Sequence, residues 1–157
     1  MTKKLVVFSI IIVSSVALIL SIAFGFRAFT TSIYQQRTCE WANIDNLEMH
    51  AKVDVPKIFA SDCEYVEATN TKKAYFLVDK SKLDLERYLR LNKLKSISNR
   101  SEIPSGKFLN FDETVVKNQV MFYKENKKDS ETSFVLFNSE AGKLYVTVQY
   151  ASAEKEF

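Results

Sequence analysis

The sequence predicts an α+β protein: an N-terminal transmembrane helix, then a small domain in which an antiparallel sheet (strand, hairpin, helix, three-stranded meander) packs on one main helix. Three observations carry that expectation. Residues 5–26, LVVFSIIIVSSVALILSIAFGF, contain no ionisable side chain, and about 20 helical residues suffice to cross a hydrocarbon core. Several later segments alternate apolar and polar residues with the period of two that marks a half-buried strand. Between them lies one segment with the capping and spacing of an amphipathic helix.

The apolar run exceeds the core of a cleaved secretion signal, roughly 7–15 residues. Small-residue pairs that suit a cleavage site exist at Ser21 and Ala23, or Ala23 and Gly25, but length favours an anchor that is kept. Lys3 and Lys4 precede the run, and basic residues flanking a span are retained in the cytoplasm. The expected organisation is a cytoplasmic tail and single-pass signal-anchor over residues 1–26, a tether over 27–38, and an extracytoplasmic domain over 39–157. The localisation that follows is a cell inner membrane or plasma membrane, with the domain in the periplasm if the cell has one. Both cysteines, Cys39 and Cys63, fall in the exported part, where oxidising conditions allow a disulfide to persist. Closing that loop contributes about 3 kcal/mol in the chain-entropy account.

Along the exported part, residues 48–55 alternate strictly, with Met49, Ala51, Val53 and Val55 on one side and Glu48, His50, Lys52 and Asp54 on the other. They read as a strand ended by Pro56. Two β-favouring runs, 62–68 and 74–79, flank a polar stretch and suggest a hairpin; a helix carrying Ile58, Phe59, Cys63 and Val66 competes with it. Ser81 followed by Asp84 forms a capping-box pattern that opens a helix over 82–95. On it Leu85, Tyr88 and Leu89 share one side, and Glu86 and Arg90 are spaced as an ion pair. Residues 99–107, with Pro104 and Gly106, form a loop. Runs at 117–125, 132–137 and 143–151 then make the meander, with Gly142 supplying the positive φ of a tight hairpin.

Chemistry is constrained mostly by scarcity. Three glycines cannot build the Gly-rich cradles of nucleotide sites. His50 is the single histidine, so zinc sites on several imidazoles are impossible, and its place on a polar strand face predicts solvent exposure rather than catalysis. Calcium-loop spacing is absent. Glu64, Glu67, Asp112 and Glu113 could supply the paired carboxylates of a hydrolase, yet scattered surface acids are the commoner meaning. No cofactor, metal or catalytic residue is expected. The net charge of +3 shrinks once Lys3 and Lys4 are set aside, and such a balance does not suit nucleic acid.

The strongest local asymmetry is the basic stretch 80–100. Its candidate binding residues are Arg87, Arg90, Lys93 and Lys95, which suit an acidic partner. Tyr123, Tyr145 and Tyr150 either form an outward aromatic patch or line a sheet. Asn99, Arg100 and Ser101 form a glycosylation sequon, meaningful only in a eukaryotic secretory route. The function that fits is a membrane-anchored, non-enzymatic domain that binds a protein of the envelope, as an inhibitor, an immunity protein that neutralises its target, or an assembly partner. The alternatives are a small cell-envelope hydrolase using paired carboxylates, and a ligand-sensing domain.

Overall fold

A computed structural model describes residues 2–35, 38–97, 103–104, 106–111, 119–128 and 130–151. The chain divides into two units after Tyr34. The first is helix α1, Thr2–Gln35, which at 1.5 Å per residue measures about 50 Å. Its stretch Val7–Ser32 is long and apolar enough to cross a membrane. Two hydroxyls within it fold back onto the helix: Ser15 Oγ donates to Ile11 O and Ser21 Oγ to Ala17 O, each at 2.8 Å. These two serines therefore need no water, as an apolar surrounding demands. Thr30 and Thr31 do the same to Arg27 O, and the helix continues to Gln35 over most of the stretch expected to be a tether.

The second unit begins with helix α2, Trp41–Ala51, where the alternation at 48–55 suggests a strand. The helix wins because its buried positions, Asn43, Asn46, Leu47 and Ala51, fall at i, i+3, i+4 and i+8. Two of them are polar, which hides the helical period from a hydropathy reading. Lys52 adopts the left-handed conformation that ends the helix. Glu48 Oε1 then accepts the Val55 N–H at 2.5 Å, fixing the exit.

Strands β1 (Ile58–Val66) and β2 (Thr71–Val78) form the expected hairpin, longer than the sequence suggests and turned by a 3₁₀ segment, Glu67–Thr69. The competing helix over Ile58–Val66 is not formed. Asn70 takes positive φ at the turn, and Tyr65 donates to its Oδ1 at 2.6 Å. Helix α3 spans Leu85–Asn92, shorter than the expected 82–95. Asp84 rather than Ser81 is its cap, accepting the Arg87 N–H, while Ser81 sits in a separate 3₁₀ turn capped by Asp79. No ion pair joins Glu86 to Arg90 among the described residues. The unforeseen β3 (Lys95–Ile97) follows, then the meander β4 (Met121–Lys128), β5 (Glu131–Asn138) and β6 (Lys143–Gln149). Gly142 has φ +65 before β6, as the tight turn requires.

The six strands pair antiparallel throughout, in the order β1-β2-β6-β5-β4-β3. Lys72, Ala74, Phe76, Val135, Phe137, Leu144, Val146 and Val148 share one face by register. Helix α2 packs there on β5 and β6, and α3 joins through Tyr88, whose ring meets Phe137 edge-on at 5.5 Å. The sheet's main helix is thus α2, where the sequence places it later in the chain. The opposite face is covered by Phe108 and Phe111 of the loop before β4, against Tyr145 and Phe134. A disulfide joins Cys39, just ahead of α2, to Cys63 on β1, with Cα atoms 5.6 Å apart, and suggests an oxidising compartment.

Candidate functional site

Two arrangements on the helix-covered face concentrate polar chemistry. The first is a basic surface around α3. Arg87, Arg90 and Leu91 fall at i, i+3 and i+4, so they share one side of the helix, and all three are exposed; Leu91 keeps 61% of its surface open. Lys93 follows in the left-handed conformation that ends α3. Two lysines from distant segments meet it. Lys124 on β4 is half-buried, and burial first, then the neighbouring Lys93 charge, hold its ammonium below the usual lysine range; Asp54 opposes this and Lys52 adds to it. Lys124 Nζ also donates to the backbone carbonyl of Lys52. The structure therefore brings Lys93 together with Lys124 and Lys52, with the Asp54 carboxylate among them, while Arg87 and Arg90 share α3 with Lys93 and are exposed. Lys95 does not join them: it pairs with Tyr123, which puts it on the sheet face opposite Lys124.

The second arrangement is a polar seam between α2 and the sheet. Asn43, Asn46 and His50 project from one side of α2 at i, i+3 and i+7. Tyr150, just after β6, donates to Asn46 Oδ1 at 2.6 Å. The His50 ring stands edge-on to Tyr150 with centroids 5.0 Å apart. Its Nδ1 lies 2.8 Å from the carboxylate of Glu131 at the start of β5. This corrects the expectation of an exposed histidine, since only 18% of its side chain remains accessible. The reason is the change of element: on a helix, residue 50 falls next to the stripe that packs on the sheet.

At the inner end of the seam Lys72 is fully buried, and its Nζ donates to Oδ1 of Asn43, itself fully buried. Desolvation lowers the lysine pKa to about 8. Burying an amine against a neutral acceptor is costly for the charged form. The sequence reading passes over this residue, although a signal exists. Extending the β2 alternation back from Val78 through Phe76 and Ala74 places Lys72 on the apolar side.

The other candidates separate plainly. Tyr145 and Tyr150 are buried and Tyr123 packs on the Phe108 cluster, so these tyrosines line the sheet instead of forming an outward patch. Glu64 and Glu67 are exposed on β1 and its turn; Asp112, Glu113 and the sequon at Asn99 lie outside the described residues. No family model, curated protein or solved structure matches the chain.

Proposed function

We propose that this protein is a membrane-anchored extracytoplasmic domain that binds another protein of the envelope, as an inhibitor, an immunity-type neutraliser or an assembly partner. Residues 5–26 hold it in the bilayer with Lys3 and Lys4 on the cytoplasmic side, and residues 39–157 act outside. The observation that carries the reading is the meeting of Lys93, at the end of α3, with Lys124 and Lys52, on a helix that also exposes Arg87, Arg90 and Leu91. Positive charge gathered from three separate elements, with an exposed apolar residue on the same helix, suits an acidic protein surface. The charges steer encounter while the buried apolar contact and the arginines slow release. The hydrolase alternative draws no comparable support, because Glu64 and Glu67 are open to solvent.

Photo-crosslinking in intact membranes tests the reading, with a crosslinkable residue in place of Leu91. A discrete adduct is expected that fades when Arg87→Glu and Arg90→Glu are introduced together and when ionic strength rises. A loss of about tenfold in adduct corresponds to about 1.4 kcal/mol of binding. An adduct indifferent to both charge reversal and salt would remove this surface from the function.

A further inference from the structure

Lys72 and Asn43 meet in the interior from two elements that are remote in sequence. In register, Lys72 lies between Tyr65 on β1 and Val148 on β6, and neither it nor Asn43 has surface open to water. The acceptor that Nζ has found is a neutral carboxamide, so the ammonium form lacks the compensation a carboxylate would give. With its pKa lowered to about 8, on the order of a tenth of the side chain is free amine at pH 7. A desolvated lysine amine is an activated nucleophile. Cγ of Asn43, an acyl carbon, is one covalent bond beyond the oxygen that Nζ touches.

We propose that Lys72 and Asn43 become joined by an intramolecular isopeptide bond that ties β2 to α2. Nζ of the free amine adds to Cγ of Asn43, forming the Nζ–Cγ bond. The Cγ–Nδ2 bond breaks, and Nδ2 departs as ammonia after taking one proton from Nζ. Atoms and electrons balance with no oxidant, reductant or cofactor, and one amide replaces another. Two effects drive the exchange. Holding amine and acyl carbon together replaces a bimolecular encounter, an advantage that reaches effective molarities of about 10⁵ M in well-oriented cases. The product is neutral, so a buried charge is abolished, and escape of ammonia makes the step irreversible. The bond would be a second covalent link near the start of the domain, alongside Cys39–Cys63, and it is independent of the binding surface on α3.

Mass spectrometry of the full-length protein, purified in detergent and reduced, tests the proposal. The wild type should weigh one ammonia less than its sequence, and a protease digest should yield a branched peptide joining the segments around Asn43 and Lys72. Lys72→Met and Asn43→Ala should each abolish both signatures. The decisive measurement needs no variant to fold: recovery of Asn43 and Lys72 in two separate, unmodified wild-type peptides overturns the proposal. Loss of ammonia without the branched peptide overturns it as well.

Discussion

The two faces of the central sheet are covered in opposite ways. Beneath the loop before β4 lies an aromatic layer in which Phe108, Phe111 and Tyr145 meet edge to face with centroids 5.3–6.1 Å apart, and Tyr75 tilts against Tyr145. Beneath α2 the contact is mixed, with Leu47 and Ala51 buried beside the pairs Asn43–Lys72, Asn46–Tyr150 and His50–Glu131. The aromatic face gains its energy from area and dispersion, which are additive and tolerant of direction. The polar face is directional. Each pair is satisfied in only one registration of α2 on the sheet, so it selects an arrangement at some expense of stability.

The largest expected effect falls on the aromatic face. Phe108→Ala should cost about 3–5 kcal/mol, read as a lower denaturant midpoint of the domain, because it empties the centre of a buried cluster. Cys39→Ser with Cys63→Ser should cost about 3 kcal/mol, and chemical reduction of the wild type should give the same midpoint.

A pH experiment on the polar face comes next. In an unlinked background such as Asn43→Ala, Lys72 titrates, and its folded pKa of about 8 lies below its unfolded value. The charged lysine thus opposes folding fully below about pH 8, and the penalty disappears as pH rises past about 10.4. Adding Lys72→Met should therefore stabilise that background by about 2–3 kcal/mol at pH 7 and by much less near pH 10. A pH-independent gain would show that burial of the amine is not the cause.

Tyr150→Phe should cost about 1–2 kcal/mol by leaving Asn46 Oδ1 without its donor in the interior. Smallest of all, Glu131→Gln should change stability by less than about 1 kcal/mol, since the His50–Glu131 pair is partly solvated. Equal costs for Phe108→Ala and Tyr150→Phe would erase the distinction between the faces.

The sequence carries the hairpin and the meander legibly through β-favouring runs separated by polar stretches, and in β6 Leu144, Val146 and Val148 do share a face. It hides α2 because that helix buries Asn43 and Asn46 where a hydropathy pattern looks for leucine. At three residues, β3 is too short for any period to register. Phe108 lies just past the loop read at 99–107, and its work as the cover of a sheet face depends on contacts with β5 and β6 far along the chain. The basic surface is half legible in the same sense. Arg87, Arg90 and Lys93 are neighbours in sequence, whereas Lys52 and Lys124 reach Lys93 only through folding, and the strand register carries Lys95 away.

The Cys39–Cys63 bridge also has a mechanical meaning. Any pull on the domain from α1 enters the second unit through the residues just ahead of Cys39. With the bridge formed, that tension passes from Cys39 directly into β1, along a covalent path that bypasses the eleven residues of α2. The load then falls on β1 and its pairing with β2, and α2 with its polar seam lies off that covalent path. Reduction would reroute the same pull through Trp41 and peel the helix from its end.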